Sequence, residues 1–111
     1  MLLTLLKAKL HRIKATEARL DYEGSLTLDP DDMEAVGILP YEKILVANVE
    51  NGERFETYAI CGERGSHVCC LNGAAARKGK VGDKLIVMAF AQMDETEAQG
   101  WQPRVLHFQS K

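Results

Sequence analysis

A mainly β domain, closed into a small barrel and carrying two or three short helices, is the fold this sequence predicts. Three observations point there. β-Branched and apolar residues crowd two runs, residues 44–49 and 84–90. Asn51-Gly52, the strongest short hairpin signal, closes the first of them. And Glu42-Lys43-Ile44-Leu45-Val46 is echoed by Asp83-Lys84-Leu85-Ile86-Val87, a shift of 41 positions from Lys43 to Lys84. Such an echo suits a barrel built from two related halves, which would leave no free sheet edge.

Taken in order, residues 2–15 alternate apolar and polar in places, which predicts a first strand with Lys7, Lys9 and His11 on one face. That face is either a solvated strand side or the lip of an anion-binding mouth. Thr16-Glu17-Ala18 reads as a short link, and residues 20–28 as a second strand or a hairpin bent at Gly24. Asp29 as N-cap, Pro30 at the first helical position and acidic Asp31 and Asp32 start a short helix that ends at Gly37. Across Asn51-Gly52 the return strand is residues 54–60, with Arg54, Glu56 and Tyr58 on one face and Phe55, Thr57 and Ala59 on the other. A polar loop at 63–66 precedes a strand at 67–71. Asn72-Gly73-Ala74-Ala75-Ala76 is a small-residue turn opening a short helix. A buried strand at 84–90, an acidic loop at 94–97 and a last strand from Trp101 to Phe108 complete the chain.

Its 111 residues fit one domain, 1–111, with one core. At 46% hydrophobic and 27% charged the composition is that of an ordinary globular protein. A net charge of -2 with 6% aromatic residues argues against a nucleic-acid partner, which asks for a basic stripe or a stacking platform. The first residues are apolar but lack a basic leader and are interrupted by Lys7 and Lys9, so no signal peptide is expected. No apolar run reaches membrane-spanning length, and a cytoplasmic location is the expectation. Three cysteines, Cys61, Cys69 and Cys70, make an odd set without CxxC spacing. His67 and Cys69 share a face, but two further zinc ligands at sensible spacing are missing. Reduced, mostly buried thiols and no metal are therefore expected.

The chemically suggestive stretch is Leu20-Asp21-Tyr22-Glu23-Gly24-Ser25-Leu26-Thr27-Leu28-Asp29. On its own, Gly24-Ser25 between two apolar-alternating runs is an ordinary turn. A serine that attacks its own preceding carbonyl, however, needs a flexible glycine on the acyl side. It also needs a donor for the developing oxyanion and a base for the α-proton. Downstream stand the hydroxyls of Thr57 and Tyr58, the guanidinium of Arg54, and Asn72 followed by residues small enough for backbone N–H groups to approach a ligand.

As a set, Lys9-Leu10-His11-Arg12, residues 20–25, residues 51–60, Glu63-Arg64-Gly65-Ser66 and Asn72-Gly73-Ala74-Ala75-Ala76 resemble the aspartate 1-decarboxylase family, collinearly from Lys9 to about Phe90. The resemblance continues less clearly through Trp101 and Pro103. It implies a double-psi β-barrel, a homotetramer, and decarboxylation of L-aspartate to β-alanine for pantothenate synthesis. It also implies autocatalytic cleavage between Gly24 and Ser25, giving a small chain 1–24 and a larger chain 25–111. The larger chain would begin with a covalent pyruvoyl cofactor made from Ser25, which forms a Schiff base with substrate in place of pyridoxal phosphate. By resemblance Thr57 promotes cleavage and touches substrate, and Tyr58 donates the proton. Arg54 and Lys9 bind carboxylate, Asn72, Gly73, Ala74 and Ala75 line the pyruvoyl pocket, and His11 and Tyr22 stand nearby. Whether a helper protein assists maturation is left open by the sequence.

Two features depart from the family pattern. Ala47 stands where several relatives carry a bulky aromatic, which would widen that edge of the pocket. The chain also stops at Lys111, short of a tail found in relatives, which bears on tail-mediated assembly. Two other readings remain open at this level: a relative that keeps the fold with Ser25 uncleaved and inactive, and a non-enzymatic barrel-type DNA-binding module.

Overall fold

A computed structural model describes residues 1–108; Lys111, the chain end weighed above, lies outside them. Eight strands form one ladder with short helices between them. They are β1 (Leu2–Lys14), β2 (Glu17–Arg19), β3 (Ser25–Leu28), β4 (Lys43–Asn48), β5 (Arg54–Cys61), β6 (Cys69–Asn72), β7 (Lys84–Asp94) and β8 (Arg104–His107). The helices are α1 (Pro30–Val36), a 3-10 turn over Gly73–Arg77, and α2 (Glu95–Ala98). The strand order is β2-β6-β3-β5-β4-β7-β1-β8. The molecule is mainly β as expected, with parallel pairs (β3·β5, β2·β6, β1·β8) set among antiparallel ones. The ladder is not closed: β2 and β8 end the order without pairing to each other.

The echoed segments are neighbours. β4 and β7 pair antiparallel with Val46 opposite Val87, the very residues the 41-position shift superposes. A local two-fold axis therefore passes between them. Their inward side chains meet those of β1 and β3 in a core that includes Leu10, Leu26, Leu28, Ile44, Leu71 and Leu85, all at most 1% exposed. Each such side chain contributes roughly 1.5–3 kcal/mol by leaving water.

Helix α1 begins and ends as read. The Asp29 side chain accepts from Asp31 N, Pro30 leads, and Gly37 closes the helix at φ 83°. The Asn51-Gly52 hairpin also forms, though as a longer loop: β4 stops at Asn48, whose backbone N–H donates to Glu53 O.

Other boundaries are corrected. Glu17 and Ala18, expected in the link Thr16-Glu17-Ala18, belong to the strand Glu17–Arg19, because Thr16 ties the segment to Cys69 through reciprocal bonds of 2.8 Å and pins it alongside β6. Residues 20–24 then form an exposed turn, and the next strand starts at Ser25. The strand at 67–71 is displaced to Cys69–Asn72, since His67 takes φ 59°. The acidic stretch at 94–97 is no loop; Asp94 caps α2 by accepting from Glu97 N. Trp101 lies before β8, and its indole N–H donates to Leu6 O at 2.7 Å. No helix among the described residues is long and apolar enough to cross a membrane.

Candidate active site

The antiparallel register of β3 and β6 sets Ser25 opposite Asn72 and Thr27 opposite Cys70. Direct cross-strand partners share a face, so these four side chains form one polar patch. The remaining residues of β3, Leu26 and Leu28, point into the core. The Asn72 amide N–H2 donates to Ser25 Oγ (3.0 Å) and to Thr27 Oγ1 (2.7 Å), while Asn72 Oδ1 accepts from Cys70 Sγ (3.1 Å). Ser25 also donates weakly to Glu23 O at 3.3 Å. Ser25 is 1% exposed and Asn72 fully buried, so these bonds act at low effective dielectric, where they are strong and costly to lose.

Just upstream the chain is exposed through Gly24. Gly73 presses against this turn. A methyl group added there would lie 2.6 Å from Tyr22 O and 2.7 Å from Gly24 N, and its φ of 63° already disfavours other residues. The backbone after β6 thus reaches the Gly24–Ser25 peptide only because position 73 has no side chain.

A cleft of about 380 Å³ opens on the same peptide, lined by Gly24, Thr57, Tyr58, Ala74 and Ala75, with Phe55, Glu56 and Lys78 at its margin. The structure therefore gathers Gly24, Ser25, Thr57, Tyr58, Asn72, Gly73, Ala74 and Ala75 into one corner. The Tyr58 ring lies 6.4 Å from that of Tyr41. Tyr22 sits on the exposed turn beneath the Arg19 guanidinium (5.6 Å) and faces a separate cavity of about 530 Å³, which Asn72, Thr27 and Cys70 also reach.

The remaining site residues stand apart. Arg54 opens β5 and shares a face with Tyr58 four residues on, about 13 Å away at strand rise. Across the sheet Arg54 pairs with Ala47, Ala47 with Ile86, Ile86 with His11, and His11 with His107. One straight row thus joins Arg54 to His11 over three strand spacings, roughly 14 Å. Ala47, at 9% exposed, stands in that row and does not line the cleft at Gly24. Lys9 lies on the adjacent row, between Met88 and Val105. Lys7 occupies a β-bulge and pairs with Glu42.

The His11 ring packs edge-on against His107 at 5.4 Å, and its Nδ1 is buried with no hydrogen-bond partner among the described residues. Burial first, and then Lys9, His107 and Arg12 nearby, hold its pKa below the usual histidine value, which favours the neutral imidazole.

The cysteines are free, with Cys69 and Cys70 buried and Cys61 exposed. Burial pushes the Cys69 thiol up to about 12 and that of Cys70 upward too, so both stay protonated. Exposed His67 lies beside Asp29 and Asp32, not with Cys69. Thr27 and Cys70 are absent from the sequence-level site because only the β3–β6 register reveals them. Once Ser25 is set opposite Asn72, a step of two residues along each strand finds both.

Comparison with known proteins adds kinship to geometry. The family model for aspartate decarboxylase matches residues 1–111. The chain is 55% identical to the aspartate 1-decarboxylase of Ruminiclostridium cellulolyticum, over 96% of its own length and 83% of the relative's. It is 54% identical to the protein of the same name from Carboxydothermus hydrogenoformans (96% and 84%) and 53% identical to that of Leptospira biflexa (96% and 91%). A serine sealed beneath a solvent-facing glycine, on a chain related this closely along its whole length, leads to one conclusion: this chain belongs to the aspartate decarboxylase family.

Proposed function

We propose that this chain cuts itself between Gly24 and Ser25 and uses the ketone made from Ser25 to decarboxylate L-aspartate. The decarboxylation itself, with β-alanine and CO2 as products and pantothenate synthesis as its setting, is the activity of the family to which the chain belongs. The observation carrying the self-cleavage is the Ser25 hydroxyl, buried and bonded to Asn72, directly after an exposed Gly24 that Gly73 presses from behind.

In the first step Ser25 Oγ attacks the Gly24 carbonyl carbon. The C–N bond breaks, and the hydroxyl proton passes to the Ser25 nitrogen, leaving an ester. The Thr57 hydroxyl, which lines the same cleft as Gly24, would bond the carbonyl oxygen as charge gathers there. Loss of the Ser25 α-proton then drives β-elimination, in which the Cβ–Oγ bond breaks and Gly24 departs as a carboxylate. Water replaces the nitrogen, which leaves as ammonia.

The corner fits the resulting pyruvoyl group: Asn72 supplies a fixed donor, and Ala74 and Ala75 leave room above it. Such a ketone supplies the electron sink that decarboxylation requires. The chain's own residues bind and protonate. Holding the carboxylate that leaves would favour the ground state, so the cations serve the one that is retained. Arg54 offers a bidentate grip and Lys9 a second charge. Tyr58, lining the cleft, holds the proton delivered to the carbon that loses CO2.

Lys9, His11 and Arg54 lie on a sheet face that also carries half-buried Leu45, Ile86 and Met88. A homotetramer in which another copy covers this face would bring Lys9 and Arg54 to a neighbouring Ser25. The reading places the enzyme in the cytoplasm, with or without a helper for maturation. Denaturing electrophoresis and intact mass test it: two unequal fragments, 1–24 and 25–111, are expected. Borohydride with labelled aspartate should then mark the larger one. A single unlabelled band would refute the proposal.

A further inference from the structure

We infer that Cys70 and Thr27 are positioning residues for maturation, holding the Asn72 amide so that its N–H points at the Ser25 oxygen. The inference rests on Ser25 being the cleavage nucleophile and names the groups that prepare its oxygen to leave. An asparagine amide has two orientations of nearly equal shape, differing only in which end accepts and which donates. Around Asn72 the partners distinguish them. Ser25 Oγ and Thr27 Oγ1 each take one N–H, at 3.0 and 2.7 Å, and the Cys70 thiol gives its hydrogen to Oδ1 at 3.1 Å.

Turning the amide over would aim N–H2 at a sulfur that is a poor acceptor and already carries a proton. Burial, with Glu17 adding to it, keeps that thiol protonated. Cys70 is 3% exposed and Asn72 fully buried, so a wrong orientation would leave buried polar atoms poorly paired.

The orientation matters at one step. A donor on Oγ gives nothing to the attack on Gly24, where that oxygen must supply electrons. In the elimination the same oxygen leaves: the pair from the Cα–H bond becomes Cα=Cβ, the Cβ–Oγ bond breaks, and Oγ takes up negative charge as part of the Gly24 carboxylate. An N–H already aimed at Oγ stabilises that charge without reorganisation. Loosening the amide should therefore slow elimination and let the ester accumulate.

The test follows maturation of freshly made full-length protein by intact mass, with and without hydroxylamine. Hydroxylamine splits the ester and leaves a large fragment beginning with serine, not with the ketone. Cys70→Val should form the ketone-terminated fragment about tenfold more slowly, about 1.4 kcal/mol in the barrel's own elimination barrier. Its hydroxylamine-released serine fragment should rise over wild type. Cys70→Ser, which keeps a donor, should restore the wild-type rate. Thr27→Val, at a part-exposed position, should show the same ester build-up in milder form.

Wild-type rates in both valine variants overturn the inference alone. So does slow maturation in Cys70→Ser equal to that in Cys70→Val without ester accumulation, since packing would then be the cause. A wild-type chain that never splits removes the cleavage reading and this inference with it.

Discussion

Two regions of the molecule carry the proposed chemistry, and they are built differently. The Ser25 corner is complete within one chain: a buried serine, its amide donor, a glycine that lets the backbone close in, and a cleft with two hydroxyls. The row from Arg54 to His107 is spread over five strands, with Arg54 exposed at one end and the small Ala47 near its middle. Making the electrophile is therefore a local matter of strand register. On the proposed reading, recognising the substrate belongs to an open sheet face that another copy would complete.

Four experiments break or sharpen this contrast. Ser25→Ala should abolish both cleavage and decarboxylation while leaving circular dichroism unchanged; a variant that still splits would locate the nucleophile elsewhere. Arg54→Ala should split normally yet bind aspartate more weakly by about 2–5 kcal/mol, seen as a raised KM. If instead it fails to mature, the two regions are not separable. Gly73→Ala should do the reverse, hindering cleavage and destabilising the fold by roughly 1–3 kcal/mol through overlap with the Tyr22–Gly24 turn. Its processed fraction, once isolated, should bind aspartate near normally, and melting curves with intact mass would show both effects.

The smallest effect tests a site outside both regions. Asp32 is buried with Oδ2 unpartnered; burial first, and then neighbouring Asp29, raise its pKa above the ordinary 3.8. The folded chain thus holds this proton more tightly than the unfolded one, and stability rises as pH falls from neutral through the raised value. Asp29 behaves oppositely. Burial alone would raise its pKa, but N–H donors from His67, Asp31 and Gly65 outweigh it and hold the carboxyl low. Its contribution is present above 3.8 and lost as pH falls through the depressed value. Urea melts over a pH series should show a shallow rise and then a fall. Asp32→Asn should flatten the rise and add about 1 kcal/mol at neutral pH. A monotonic decline from neutrality in the parent chain would contradict this pairing.

What could be read from the chain tracks how local the cause is. Asp29, Pro30 and Gly37 announce α1 because each acts on its immediate neighbours, and Asn51-Gly52 announces a reversal for the same reason. Gly24-Ser25 was legible as a site through its company downstream. Cys70 and Thr27 were not, since both act through Asn72, which meets Ser25 and Thr27 more than forty positions away in a register no short window contains. The strand Glu17–Arg19 escaped for a similar reason: it exists through Thr16 bonding to Cys69, not through any alternation of its own. The bulges in β1 at Lys7 and near Arg12, which has φ 69°, were equally silent.

The Gly24–Ser25 bond straddles the boundary between water and interior, with Gly24 outside and Ser25 within. On the proposed reading, breaking it frees a carboxylate at the wet end that hydrates and drifts off, while the new terminus at the dry end stays clamped in its strand. The nitrogen that joined the two ends leaves as ammonia, so nothing remains with which to rejoin them. Maturation would run one way even though the fragments need not separate from the fold.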